Sequence, residues 1–167
     1  MASKDDIITL PNPHLRQRSK KIGLITPEVM QLIKDMEQAT LDWEDSREHE
    51  VGVALAAIQI DKPLRVVIIR NNFNDKKDRG FLALINPEIV KISEEKVLGV
   101  EGCLSMPGLQ GEVERHEAIQ VKSLNRYGKP QKLKVNGWMA RIFQHEIDHL
   151  NGVSFTDRAI RVWKFQQ

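Results

Sequence analysis

The chain has 167 residues, of which 25 are Lys or Arg and 23 are Asp or Glu, so its formal net charge is +2. Hydrophobic residues make up 41% of the sequence and charged residues 29%, which is the composition of an ordinary globular domain. These values predict a single domain over residues 1–167 and argue against a nucleic-acid coat or a polybasic membrane tether. The single cysteine excludes an internal disulfide and is typical of a reducing compartment or of a thiol kept for chemistry.

The sequence also predicts a cytoplasmic protein that does not enter membranes. The N-terminal segment MASKDDIITL carries two acidic residues and lacks the apolar core of a secretory signal. The longest mostly apolar stretch, residues 51–60, has ten residues, about half of what a bilayer-spanning helix needs. We further expect a monomer that does not recognise nucleic-acid sequence.

The first half of the chain predicts an extended lead-in over residues 1–25, then one helix followed by strands. Thr26 is suited to cap the helix and Pro27 to occupy its first turn, and apolar residues then recur at helical spacing to about Ser46. Segments rich in β-branched residues predict strands at 51–55, 64–70, 81–86 and 88–93, with Pro87 as a break or bulge.

The second half predicts further strands and then a buried helix. The strand segments are 96–105, 118–124 and 131–135, and the last two are expected to form a hairpin. The helix runs from Gly137 to Leu150, with Asn136 as its cap and a stop at Asn151-Gly152. Apolar residues cover most of its circumference. The order of elements predicts an α+β fold, with antiparallel or mixed sheets packed around a central, buried C-terminal helix and with an N-terminal helix.

The predicted C-terminal helix carries the sequence His145-Glu146-Ile147-Asp148-His149. Histidines at positions i and i+4 project from one face of a helix, so both imidazoles can reach the same metal ion. Glu146 points to the neighbouring side, where it can touch a metal-bound water without ligating the metal. The alternative is a pair of core histidines satisfied by hydrogen bonds, although burying Glu146 without a partner would then be costly.

A zinc-type site needs a third protein ligand, and the sequence downstream does not offer one. Phe155 stands where one related pattern has a third histidine, and none of the 18 residues after His149 is Glu. The remaining soft ligand is Cys103, whose thiolate would complete a Cys-His-His set and leave a fourth position to water. Alternatively, Cys103 is a small buried hydrophobic residue. Nearby Glu101 is expected to be buried against an arginine in a structural role.

Three ordered motifs together resemble the signatures of the peptide deformylase family. The segments EGCLS (101–105) and QHEIDHLNG (144–152) are similar to two of them, and GVALAAIQ (52–59) is similar to the third. Their order and separations also match, and the resemblance runs from about residue 5 to residue 160. It implies that the chain hydrolytically removes the N-formyl group from the N-terminal formylmethionine of nascent polypeptides, using a metal-bound water.

The resemblance also implies a metal and the roles of the residues around it. The implied metal ligands are Cys103, His145 and His149. Ferrous iron is the implied ion, which zinc, nickel or cobalt can replace, whereas ligand chemistry alone would suggest zinc. Glu146 would transfer the proton, and the side-chain amide of Gln59 and the backbone N–H of Leu104 would stabilise the oxyanion. Without the resemblance, Gln59 would be interpreted as a polar residue at the end of a strand.

A substrate groove is implied as well, in which a strand edge pairs with the backbone of varied nascent chains. The residues of that edge are Gly52, Val53 and Ala54. The apolar pocket for the methionine side chain is expected to include Val53, Val100, Trp138, Ile142 and His145. Two positions depart from the family pattern, because Ala54 stands where Gly is usual and Ile58 where Pro is usual. The added methyl group of Ala54 either narrows the groove or faces away from it.

Two alternatives to a deformylase stay open at this point. One is a metallopeptidase, and the other is a deformylase-like domain that binds metal with weak or no turnover. The expected partners are N-formylmethionyl peptides of nascent chains. A short basic C-terminal tail could contact the ribosome, but we favour a solvated terminal segment. The residues of this tail are Arg158, Arg161, Trp163 and Lys164.

Overall fold

The structure is a computed structural model and describes residues 2–166. It contains two antiparallel sheets and a central helix that contacts both of them. The helices and strands in chain order are α1 (Pro27–Asp45), β1 (Ala54–Ala56), β2 (Val66–Arg70), β3 (Phe81–Ile92), β4 (Lys96–Glu101), β5 (Leu109–His116), β6 (Ala118–Leu124), β7 (Pro130–Asn136), α2 (Gly137–Leu150), α3 (Phe155–Arg158) and β8 (Arg161–Lys164). Short 3-10 helices span Lys4–Asp6, Pro13–Arg16 and Ala57–Ile60. The α+β fold predicted from the sequence is confirmed.

Helix α1 begins where its capping signals predict. The Thr26 hydroxyl accepts a hydrogen bond from the Val29 N–H at 3.4 Å, and Pro27 occupies the first turn, where a backbone N–H would lack a helical partner. One face of the helix packs into the core through Val29, Leu32, Ile33, Met36 and Ala39. The helix therefore covers the five-stranded sheet, and its last turn delivers Glu44 to the loop that precedes β1.

The five-stranded sheet has the order β1-β2-β3-β6-β7. Strand β3 runs continuously through Pro87, but its register against β6 shifts between Ile85 and Glu88, and Asn86 has a φ of 52°. The break or bulge predicted at Pro87 is thus a bulge inside one strand, which is where a residue without an N–H is tolerated.

The three-stranded sheet has the order β4-β5-β8, and two of its strands were not predicted. Strand β8 pairs with β5 from Leu109 to Glu112, so the terminal segment is a strand and not a free tail, although three of its four side chains are exposed, as expected of a solvated segment. The prediction of an extended segment over residues 1–25 is also wrong in part, because this segment contains 3-10 turns and Leu15 is completely buried. Burial of Leu15 fixes the first of these segments to the body of the protein, and backbone pairing with β5 fixes the second.

Helix α2 lies at the centre, and its bounds are those predicted. It contacts β1, β2, β6 and β7 of the larger sheet and β5 of the smaller one. All of its side chains from Ala140 to Leu150 are buried, as the apolar residues around its circumference predict. None of the helices within residues 2–166 is long and apolar enough to span a membrane.

The segment predicted as a strand at 51–55 is only partly one. Strand β1 covers Ala54–Ala56, because the N–H and the carbonyl of Gly52 are already bonded to the side chains of Glu44 and Arg70. After β1 the chain turns into the 3-10 helix Ala57–Ile60. This turn changes the direction of the Gln59 side chain and brings it towards α2.

Candidate active site

Three residues that the sequence proposes as metal ligands meet in the structure. Cys103 follows β4, and His145 and His149 lie one turn apart on α2, with ring centroids 5.1 Å from each other. Potential ligand atoms of the three side chains all lie within 4.8 Å of one another, and Cys103 Sγ is 3.3 Å from His149 Nε2. A thiolate with two imidazoles is a donor set that suits a divalent transition metal.

Glu101 orients one of these histidines. Its Oε1 lies 2.8 Å from His145 Nδ1, so Nε2 is the ring nitrogen left for a metal. Burial opposes ionisation of Glu101, but hydrogen bonds from His145 and Arg115 hold its pKa well below the usual range. The predicted burial of Glu101 against an arginine is confirmed. The contact with His145 was missed, because the sequence does not reveal that β4 and α2 are neighbours.

Two further titratable groups on α2, His149 and Glu146, are buried in states that suit catalysis. Burial and the charge of His145 lower the pKa of His149 well below its ordinary value, so this imidazole is neutral at pH 7 and can act as a ligand. Burial raises the pKa of Glu146 to about 7. Glu146 Oε2 is buried without a hydrogen-bond partner among residues 2–166, which is the state expected of a carboxylate kept for water or substrate.

The Gln59 side chain is held beside Cys103 by three hydrogen bonds. Its Oε1 accepts from the Ala56 N–H at 2.9 Å, and its Nε2 donates to Ser105 Oγ at 3.0 Å and to Cys103 Sγ at 3.4 Å. Gln59 is therefore part of a buried turn and not a polar residue at a strand end. The sequence analysis missed Ser105, because nothing in the sequence marks a single serine in a loop as the partner of a distant glutamine.

A cavity of about 250 Å³ opens onto Cys103, His145 and Glu146. The residues proposed for substrate or oxyanion contacts that line it are Val53, Ala54, Gln59, Leu104, Trp138 and Ile142. Sequence reasoning missed Leu109, Gln110 and Arg141, which also line it.

Gly52 and Val100 do not line this cavity. Gly52 is buried against α1, where an added Cβ would lie 2.6 Å from Thr40 Cγ2, and both its N–H and its carbonyl are bonded to side chains. Val100 is 42% exposed on β4, where it pairs with Glu112 of β5.

A buried helix that places two histidines and a carboxylate beside a cysteine at the wall of a cavity is the arrangement expected of a metal-dependent hydrolase. The family model of polypeptide deformylase matches residues 4–164. A peptide deformylase of Aquifex aeolicus is 42% identical over 159 residues, which is 95% of this chain and 89% of the relative. A peptide deformylase of Desulforudis audaxviator is 38% identical over 158 residues, which is 95% of this chain and 95% of the relative.

Solved structures agree with the sequence comparisons. The peptide deformylase of Synechococcus elongatus in complex with actinonin superposes with a TM-score of 0.82 at 35% identity, covering 93% of this chain and 78% of the other. The enzyme of Thermotoga maritima gives a TM-score of 0.79 at 35% identity, covering 93% and 97%. The chain belongs to the polypeptide deformylase family. It is a metal-dependent hydrolase that removes the N-formyl group from nascent peptides.

Proposed function

We propose that deformylation by this chain takes place at Cys103, His145 and His149, with Glu146 as the group that transfers protons. One observation carries this assignment. The potential ligand atoms of the three residues lie within 4.8 Å of one another, and the buried Glu146 carboxylate lines the same cavity. No structural role is evident for a cysteine, two histidines and a glutamate gathered in this way beside a cavity.

The native ion we infer is Fe²⁺, on the strength of the family resemblance, with Zn²⁺, Ni²⁺ or Co²⁺ able to occupy the same donor set. When bound, the cation lowers the pKa of a water molecule towards about 7 and polarises the formyl carbonyl. The neutral state of His149 and the Glu101 hydrogen bond to His145 both favour ligation through the imidazole rings.

Glu146 is suited to act first as a base and then as an acid. A carboxyl group with a pKa of about 7 can accept a proton from the attacking water and later return one to the leaving amine at neutral pH. The unpartnered Oε2 leaves one oxygen available for this exchange.

Gln59 and Leu104 are assigned to the oxyanion that develops on the formyl oxygen. The Gln59 Nε2 lies beside Cys103 Sγ, and its Oε1 is fixed by the Ala56 N–H, so the amide keeps its orientation during the reaction. The backbone N–H of Leu104 belongs to the residue directly after the proposed cysteine ligand. Of the two Nε2 hydrogens, one is bonded to Ser105 Oγ at 3.0 Å, and the other, in the longer 3.4 Å contact with Cys103 Sγ, is the one proposed to turn to the oxyanion.

The substrate backbone is proposed to lie along Val53 and Ala54, with Gly52 supporting this edge from beneath. The methionine side chain would enter the part of the cavity lined by Val53, Trp138 and Ile142, close to His145. Val100 is proposed only for the rim, because it is exposed on β4. Pairing through the main chain gives affinity that tolerates many nascent sequences.

The proposed setting of the reaction is the cytoplasm, with a monomer acting on N-formylmethionyl nascent chains. A ribosome contact, if it uses the C-terminal segment, would use a paired strand and not a free tail. On that strand the Arg161 side chain is 68% exposed, but it pairs with Glu112 Oε1 at 2.5 Å and lies 5.0 Å from the centroid of the Trp163 ring.

The test is formate release from formyl-Met-Ala-Ser by protein loaded with Fe²⁺ under anaerobic conditions, with acetyl-Met-Ala-Ser as the matched control. We expect formate from the formyl peptide and no cleavage of the acetyl peptide. Cleavage of peptide bonds in either substrate would indicate a metallopeptidase instead. Full metal loading without formate release would favour the deformylase-like domain without turnover.

A further inference from the structure

Arg141 is buried in the wall of the cavity, one helical turn before His145. Its side chain is 6% exposed, and it was not among the residues that the sequence motifs single out. The guanidinium donates to Glu101 Oε2 at 2.7 Å and to the carbonyls of Val113 at 2.8 Å and Val97 at 2.7 Å. Arg141 thereby connects α2 to both β4 and β5.

Glu101 is held from two positions of the same helix. His145 approaches Oε1 at 2.8 Å, and Arg141 approaches Oε2 at 2.7 Å. Residues four apart lie on one face of a helix, so a single carboxylate bridges two successive turns of α2. Arg115 also contacts both oxygens, each at 2.9 Å, from β5. The Arg141 and His145 side chains therefore each hold one oxygen of the carboxylate from α2, while Arg115 holds both oxygens from β5.

Gly99 makes room for this guanidinium. A Cβ placed on Gly99 would lie 2.8 Å from Cζ, 2.8 Å from Nη2 and 2.9 Å from Nε of Arg141, closer than real Cβ contacts come. Gly99 pairs across the sheet with Val113, whose carbonyl accepts one of the Arg141 bonds. The arginine and the glycine therefore fit one another.

We propose that Arg141 is a positioning residue: it fixes Glu101 and, through Glu101, the ring of the metal ligand His145. The missing side chain of Gly99 leaves the space that the Arg141 guanidinium occupies. This inference rests on the proposed function, because it takes His145 as a metal ligand. Without Arg141, the arginine bonds to Glu101 would come from Arg115 of β5 alone, and the carboxylate would be free to shift towards β5 and away from His145 Nδ1. The imidazole would then lose the orientation that holds Nε2 towards the metal.

The test measures Co²⁺ binding, by competition with a chelator, together with the visible absorption of bound Co²⁺, which reports ligand geometry. The variants are Arg141→Met, Gly99→Ala and the two combined. The matched control is Arg65→Met, because Arg65 is also buried and also bonds α2, at the Leu150 carbonyl, while its other bonds within the described residues go to Ser19 and Asn151 and not to Glu101. Thermal stability of the metal-free proteins is measured in parallel.

We expect Arg141→Met to weaken Co²⁺ binding about tenfold, at the low end of the effect of groups that orient metal ligands, and to change the spectrum. Gly99→Ala should weaken binding in the same direction, because the added methyl group displaces the guanidinium. In the Arg141→Met background the same methyl group fills vacated space, so the double variant should bind no more weakly than Arg141→Met alone. Arg65→Met should lower thermal stability but leave the affinity and the spectrum of Co²⁺ unchanged.

The proposal is overturned if Arg141→Met keeps the wild-type Co²⁺ affinity and spectrum and loses only thermal stability, as Arg65→Met does. Fully additive effects of the two substitutions would also contradict it, because they would mean that Gly99 does not act through Arg141. These failures differ from a failure of the proposed function, in which the wild-type protein itself would not bind Co²⁺ at Cys103, His145 and His149.

Discussion

The ion pair between Glu44 and Arg70 supports the cavity edge from below, and its disruption has a predictable cost. Both side chains are fully buried. Arg70 donates to Glu44 Oε1 at 2.5 Å and to the Gly52 carbonyl at 3.2 Å, while its backbone N–H donates to the Val53 carbonyl at 2.7 Å. Glu44 Oε1 in turn accepts from the Gly52 N–H at 2.9 Å. The pair therefore fixes the segment on which the substrate is proposed to lie.

Replacing Arg70 with Met leaves the Glu44 carboxylate buried without its main counter-charge. Loss of one partner from a buried pair costs about 3–5 kcal/mol in the free energy of unfolding. Arg79 offsets little of this, because its 3.4 Å contact with Glu44 comes from a side chain that is 42% exposed. Since domains are stabilised by only about 5–15 kcal/mol in total, the variant should lose a large share of its stability. The loosened edge should also raise KM more than it lowers kcat.

Denaturant unfolding of the metal-loaded protein measures the cost, with Arg79→Met as the control for an exposed pair. Adding Glu44→Gln to Arg70→Met removes the stranded charge but keeps an acceptor for the Gly52 N–H, so the double variant should be more stable than the Arg70→Met single variant. An Arg70→Met variant no less stable than Arg79→Met, or a double variant less stable than the single one, would refute this reasoning.

Four further outcomes are expected. Glu146→Gln should lower kcat at least about 100-fold, with an unchanged metal content by elemental analysis, because it removes proton transfer but no ligand. Cys103→Ala should lose most of the metal measured in the same way, because one of three protein ligands is gone. Ala54→Gly should lower the free energy of unfolding by about 0.5–1 kcal/mol, because Ala54 is a buried strand residue, and should change kcat/KM less than about twofold, because a substrate paired through the main chain does not depend on this methyl group. Burial opposes ionisation of Glu44, but bonds from Arg70 and Gly52 hold its pKa below the ordinary value. Its stabilisation is therefore complete above the ordinary carboxyl pKa of about 4.3 and is lost as the pH falls through the lower folded value, so Glu44→Gln should flatten the acid limb of the stability curve.

Elements whose signals are local could be predicted from the sequence. The bounds of α2 follow from apolar residues around a whole helix and from the Asn151-Gly152 stop, and β6 follows from strict alternation. The strand β5 was missed because LQGEVERH carries charges at positions that the fold later buries or pairs, such as Arg115. The strand β8 was missed because its pairing with β5 joins distant parts of the chain.

The same distinction applies to the candidate site. The pair His145 and His149 is visible in the sequence, because their spacing within one helix fixes their geometry. The approach of Cys103 to that helix is not visible, and it rested on the family motifs until the structure brought the side chains together. The position of the Arg141 side chain on α2 depends on the absence of a side chain at Gly99, which lies on β4. No local sequence pattern reveals a fit between two separate elements.

The most direct test of the central claim is to titrate metal-free protein with Fe²⁺ under anaerobic conditions and to follow formate release from formyl-Met-Ala-Ser. The account predicts that turnover rises with added Fe²⁺ and reaches its plateau at one ion per chain, and that Cys103→Ala shows no such rise. Turnover that is independent of Fe²⁺, or one tightly bound ion per chain without any formate, would contradict it.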